Sequence, residues 1–274
     1  MVEMCYNYAM SERVEHPNLL GVPFSNVGFE DVCSAIDERI TSREPGYIVT
    51  PNVNLVCNFH RYPDFREAYR KAFMWLPDGT PLMWVARLLG IRFVEKLSGS
   101  DMVPWLSAYA AKKGYRVFLL GGRPCSAEVA AQRLQQKNPG LQIAGWYCPP
   151  FGFEHDPQEN ALTIQAVKDA RPDILFVALG SPKQELWLAR HLTELDVPVS
   201  MGVGAALDFI AGKLRRAPRW MQHTGLEWVW RLFQEPRRLW RRYLVDDMMI
   251  VPMILREIVR GRRNGSEAEN EGRA

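Results

Sequence analysis

The five cysteines of this chain (Cys5, Cys33, Cys57, Cys125 and Cys148) form no C-x-x-C pair. That pattern argues against a disulfide framework or a zinc ribbon and fits reduced thiols. Long apolar runs are missing as well. The most apolar late stretch, residues 248–255, contains Pro252 and falls far short of the ~20 residues a helix needs to cross a bilayer. Residues 1–20 hold acids and Asn but no apolar core, so no secretory leader is expected. No G-x-G-x-x-G fingerprint is present, which speaks against dinucleotide binding. There is no Asp-x-Asp motif, and His16, His60, His155, His191 and His223 show no ligand spacing, so neither a metal site nor any cofactor is expected.

What is there is globular. Hydrophobic residues make up 47% and charged residues 24% of 274, enough for one ample core and too apolar for a disordered chain. The net charge of +3 conceals an asymmetry. Residues 213–263 carry thirteen basic and five acidic side chains, net +8, whereas residues 1–212 are net −3 and the last eleven are net −2. The partner of that basic segment should be anionic.

Short β-rich runs alternate with helical patterns. Strands are expected over residues 47–50, 73–76, 116–120, 142–146, 174–178 and 199–202. Helices are expected over 29–41, 63–71, 81–89, 102–113, 126–137, 158–169 and 182–191. Such alternation predicts an α/β domain over residues 1–212, with a mostly parallel, Rossmann-like sheet covered by helices on both faces. After about residue 212 the β-runs stop and Trp, Arg and Leu dominate. We expect a helical appendage over 213–260, with helices at 224–234 and 236–260, and a disordered tail over 261–274.

Ligands of open parallel sheets sit beyond the carboxyl ends of the strands. Five polar clusters fall there: Thr50, Asn52 and Asn54 in T-P-N-V-N; Asp78 in P-D-G; Gly121, Gly122 and Arg123; Gln184 in G-S-P-K-Q-E; and Gly202 with Gly204. Glycine turns and helix N-termini suit a diphosphate, and amide side chains suit hydroxyls or a base edge. Asp78 directly follows an apolar run, where a carboxylate can take a proton from an attacking hydroxyl; the same position also suits a helix cap. Asn52 and Asn54 equally suit Asx-turns, and Gln184 a solvated first turn. In the basic segment Arg231, Arg238 and Arg241 have the spacing of one helical face, if the helix survives Pro236. Their neighbours Trp228, Trp230, Trp240 and Tyr243 fit a membrane interface or phosphate-binding surface, or a docked amphipathic helix with a solvated basic face. Nucleic acid is disfavoured, because the aromatics crowd on a helix rather than a sheet platform.

Taken in order, these clusters resemble the WecG/TagA/CpsF glycosyltransferases. G-S-D at Gly99, A-P-R-W-M-Q at Ala217, G-L-E-W at Gly225 and E-P-R-R-L-W-R-R-Y-L at Glu235 extend the likeness, which runs over residues 19–243. The resemblance implies an inverting, metal-independent transfer from a nucleotide-sugar donor to an undecaprenyl-diphosphate-linked acceptor at the inner leaflet of the cytoplasmic membrane. Donors of such enzymes include UDP-N-acetylmannosamine, its uronate and UDP-glucose. It further implies Asp78 as general base, Thr50, Asn52 and Gln184 as active-site residues, and Arg231, Arg238 and Arg241 as appendage residues that complete the site. Self-association in solution, with a membrane-bound monomer as the active form, is part of the same implication. A non-catalytic nucleotide- or lipid-binding regulator and an NAD-type oxidoreductase are the competing classes. An intact polar edge disfavours the first, and the missing dinucleotide fingerprint the second.

Overall fold

A computed structural model of the chain describes residues 15–271, with side chains as far as residue 260. A short antiparallel pair, β1 (Asn18–Leu19) and β2 (Val22–Pro23), precedes α1 (Phe29–Ser42). The main body then runs β3 (Gly46–Val49), α2 (Val53–Arg61), α3 (Pro63–Lys71), β4 (Met74–Trp75), α4 (Thr80–Leu88), α5 (Gly99–Lys113), β5 (Arg116–Gly121) and α6 (Ser126–Lys137). It continues through β6 (Gln142–Tyr147), α7 (Pro157–Ala170), β7 (Ile174–Ala178), α8 (Lys183–Leu195), β8 (Val199–Gly202) and α9 (Ala206–Ile210). Six strands form one parallel sheet in the order β4-β3-β8-β7-β5-β6. The chain moves outward from β3 to β4, crosses to β5 and β6, and returns with β7 and β8 to fill the gap. The carboxyl ends of β3, β5, β7 and β8 therefore open side by side.

Strand alternation divides the core between the two sheet faces. Tyr47, Val49, Phe118, Leu120, Leu175 and Val177 pack with Leu55, Phe59, Tyr69, Val167 and Leu188 of α2, α3, α7 and α8. The intervening Ile48, Val117, Leu119, Ile174, Phe176 and Met201 pack with Ile36, Met102, Leu106, Ala130 and Leu207 of α1, α5, α6 and α9. Both layers of the α/β sandwich are covered, as the alternation predicts. Caps set the starts: Ser98 Oγ accepts from Asp101 N at 3.3 Å before α5, and Asp156 Oδ1 accepts from Gln158 N at 2.9 Å before α7, where Pro157 takes the first helical position.

The later part folds as α10 (Arg219–His223), α11 (Glu227–Gln234) and α12 (Pro236–Arg241), then a π turn (Arg242–Asp246), a 3-10 turn (Asp247–Met249) and α13 (Ile250–Glu271). The single helix expected over 236–260 is thus interrupted by a π turn, which shifts the angular register of every later side chain. α13 carries backbone helix beyond Gly261, so no element ends at the expected tail boundary; the rest of that tail, residues 272–274, lies outside the described residues. Ile250 enters the core beside α2, with Met249, Met253 and Ile254 packed against it. Among the described residues, no helix is long and apolar enough to cross a membrane.

Candidate active site

The carboxyl edge of the sheet and the later helices enclose a cavity of about 1120 Å³. Thr50, Asn52, Asp78, Gly121, Gly122, Gln184 and Gly204 line it, together with Arg231 and Arg238. Most of the residues expected from sequence are brought together here. Asn54, Gly202 and Arg241 are not among the lining residues.

Each strand end contributes differently. Thr50, at the end of β3, is buried, and its Oγ1 donates to Gly202 O at 3.4 Å. Asn52 caps α2, its Oδ1 accepting from Asn54 N at 3.1 Å and Leu55 N at 3.3 Å; it is both a cap and a lining residue. Asn54 points away from the cavity, and its Nδ2 donates to Asp247 Oδ1 at 2.7 Å, tying α2 to the segment before α13. Gly121 and Gly122 have φ of +89° and +82°, and a Cβ on Gly121 would meet Ala178 O at 2.9 Å, so the turn tolerates only glycine.

Gln184 is not the solvated first-turn residue that its position also allowed. It is buried, its Oε1 accepts from Gly180 N at 3.2 Å and Gly204 N at 3.0 Å, and its Nε2 donates to the buried Glu185 at 2.8 Å. The side chain staples the loops after β7 and β8. Gly202 is required for this: a Cβ there would lie 2.7 Å from Gln184 Nε2. Gln184→Ala should therefore cost stability as well as turnover. Two loop amides lose their acceptor, worth about 1–3 kcal/mol, and thermal melting run beside initial rates should show both losses. A variant that melts like the parent would contradict the staple.

Asp78 follows β4, its amide donating to Pro51 O at 2.9 Å. It does not cap α4: Gly79 holds the N-cap position, with no side-chain capping bond. Asp78 is half-buried and lines the cavity. Burial there pushes its pKa up to about 7, with Glu227 and Asp101 adding to the rise and Lys96 and Arg231 opposing it. Arg216 restrains the two acids, approaching Asp101 at 2.6 Å and Glu227 at 3.6 Å. A carboxyl poised near neutrality in this cavity can accept a proton from a hydroxyl.

The arginines arrive by a route that spacing alone did not show. α11 ends at Glu235, where φ −133° and ψ 57° together with Pro236 break the helix. Arg231 and Arg238 therefore meet across a kink rather than along one face. α12 restarts from that kink: its last residue, Arg241, is exposed and outside the cavity, while the next residue, Arg242, enters it. Arg231 Nε and Arg242 Nε are buried with no hydrogen-bond partner in the protein, and burial lowers the Arg242 pKa. Arg123 also lines the cavity, its Nη2 bonding Glu235 Oε1 at 2.8 Å. Arg242 and Glu235 were missed as site residues because only the break in the helix brings them there. The rim loop after β6 was missed too, although P-P-F-G with Phe151 98% exposed signals a surface turn. Among the described residues, no three His, Cys, Asp or Glu side chains gather so as to hold a metal ion.

A cavity at the carboxyl edge of a parallel sheet, with a poised carboxyl and buried guanidinium nitrogens that lack a hydrogen-bond partner in the protein, suits transfer chemistry on an anionic substrate. The family model for the glycosyl transferase WecG/TagA/CpsF family matches residues 17–264. The chain belongs to that family. This glycosyltransferase is 28% identical over 224 residues to the N-acetylglucosaminyldiphosphoundecaprenol N-acetyl-beta-D-mannosaminyltransferase of Bacillus subtilis (strain 168), covering 81% of this chain and 85% of the relative. It is 25% identical over 254 residues to the enzyme of the same name from Staphylococcus aureus (strain MW2), covering 92% and 95%.

Proposed function

We propose that this glycosyltransferase moves N-acetylmannosamine from its UDP derivative to N-acetylglucosamine carried on a polyprenyl diphosphate, with inversion and without a metal, in the assembly of a cell-surface polysaccharide. The names of the relatives support the acceptor and the transferred sugar. The observation that carries the reading is the juxtaposition, in one cavity, of Asp78 with a pKa near 7 and Arg231, Arg238 and Arg242. Asp78 takes the proton of the acceptor hydroxyl as that oxygen attacks the anomeric carbon. The arginines neutralise the diphosphate that leaves with UDP, the role a divalent cation fills in other transferases. Thr50 and Asn52, at the end of β3 and the start of α2, line the same cavity.

A polyprenyl acceptor stays in the bilayer, so the enzyme has to meet it at the headgroup plane, here assigned to the inner face of the cytoplasmic membrane. The later helices are equipped for this. Trp220, Phe233, Trp240, Leu244 and Met248 are exposed within the segment of net +8, and each basic residue near an anionic leaflet contributes about 1 kcal/mol. The test is a donor screen. UDP-N-acetylmannosamine, its uronate and UDP-glucose are each offered with a synthetic prenyl-diphosphate N-acetylglucosamine, and UDP release is followed. Transfer from the first is expected to dominate and to persist with chelator. Transfer confined to another donor moves the specificity, and absence of any transfer rejects the reading.

A further inference from the structure

Four guanidiniums, Arg123, Arg231, Arg238 and Arg242, line one side of the cavity. Like charges so placed repel and would spread into solvent unless something holds them. Glu235 is the carboxylate that touches two of them. Its side chain is only 12% exposed. Oε1 accepts from Arg123 Nη2 at 2.8 Å and from Arg238 Nε at 3.1 Å, while Oε2 accepts from Arg238 Nη2 at 2.5 Å. The grip on Arg238 is a two-point fork, the most directional arrangement of this pair. Arg123 is further fixed from the sheet, where its amide donates to Asp208 Oδ1 at 2.8 Å. Glu235 is also the residue at which the backbone turns from α11 into α12. One side chain thus links the glycine turn after β5, the kink between the helices and an arginine of the second helix.

By charge alone, a carboxylate is out of place among groups meant to receive a diphosphate. We propose that Glu235 is a positioning residue: it holds Arg123 and Arg238 at the cavity wall, so that the anion site is assembled only while the later helices are docked on the Gly121-Gly122 turn. This rests on the proposed reading insofar as the anion is a substrate diphosphate. It adds that one acid, Glu235, couples the arginine of the sheet edge to that of the later helices.

Charge and positioning predict opposite signs. Removing a negative group from an anion site should tighten binding if Glu235 merely occupies it. Binding should weaken if Glu235 organises it. Binding of UDP and of inorganic pyrophosphate to the full chain is measured by calorimetry for the parent, Glu235→Gln and Glu235→Ala, with thermal melting to verify folding. We expect roughly tenfold weaker binding of both probes to the near-isosteric Glu235→Gln and a larger loss in Glu235→Ala. Arg238→Ala should then cost much less in the Glu235→Ala background than in the parent, since the two act as a unit. Arg123→Ala approaches the same link from the sheet side and should weaken binding in the same direction, even if Glu235→Ala folds poorly. Unchanged or tighter binding by folded Glu235→Gln, or strict additivity of the double variant, would overturn the proposal. A parent that binds pyrophosphate in this Glu235-dependent way but transfers no sugar would leave the positioning role intact and reject the functional reading instead.

Discussion

Asp78→Asn is expected to lower sugar transfer by about two to four orders of magnitude, the usual range for losing a positioned base, while making the protein more stable at alkaline pH. Both effects follow from one observation, the rise of the Asp78 pKa from 3.8 to about 7 in the folded chain. For catalysis, only the ionised form accepts a proton, so kcat/KM of the parent should climb as pH rises through about 7 and then level. For stability, the folded state keeps the proton to about pH 7 while the unfolded chain releases it near 3.8. The native state therefore binds more protons across that window, and the carboxyl costs stability progressively as pH rises through it. Above it the cost approaches about 2–4 kcal/mol. Asparagine carries no such cost, so the variant should melt higher than the parent at pH 8.5 and alike at pH 4. A variant that is inactive and also less stable at pH 8.5 would point to structural damage rather than a lost base.

Removing residues 214–274 is expected to abolish transfer while leaving a folded α/β domain. The six-stranded sheet is complete by Gly202, and the helices of both faces precede residue 214, but the deleted segment supplies Arg231, Glu235, Arg238 and Arg242 to the cavity. The truncated domain should melt lower than the parent, because Ile250, Met249, Met253 and Ile254 no longer cover the core beside α2 and Asn54 loses its bond to Asp247. Charge reversal of Arg231, Arg238 and Arg242 to Glu should reproduce the catalytic loss with the fold intact. Single changes separate chemistry from anchoring. Arg242→Ala should depress turnover of a short-chain, water-soluble acceptor about a hundredfold, in the range seen for losing a donor to developing charge, whereas Arg241→Ala should leave it near the parent's. Arg241→Ala should instead weaken binding to anionic liposomes in a manner that fades with salt, as exposed charges are screened over ~10 Å at 0.1 M. Full turnover of soluble acceptor by the truncated domain would reduce the appendage to an anchor.

The sheet was legible because its strands are short apolar runs separated by helical patterns, and each of the six expected runs became a strand of the sheet. The site's location followed from it, since polar residues just after those runs must lie at the carboxyl edge. Helix α2 was not legible: Asn52, Asn54 and Pro51 read as a loop, and only the capping bonds of Asn52 show that the helix begins at once. Gln184 was found as a site residue, but its work as a staple was hidden, because the amides of Gly180 and Gly204 lie four and twenty residues away. The arginines show the limit most clearly. Spacing of three and seven assumes one unbroken helix, and the kink at Glu235, from which α12 restarts, replaces Arg241 by its neighbour Arg242. Periodicity fixes a face only while the backbone stays regular.

The most direct test is the anomeric configuration of the disaccharide formed from UDP-N-acetylmannosamine and prenyl-diphosphate N-acetylglucosamine, read by NMR for the parent and Asp78→Asn in the presence of chelator. We predict a β-linked product from the α-linked donor with the parent, and next to none with the variant. An α-linked product, or a β-linked product formed at full rate by Asp78→Asn, would contradict transfer by a single inverting displacement with Asp78 as its base.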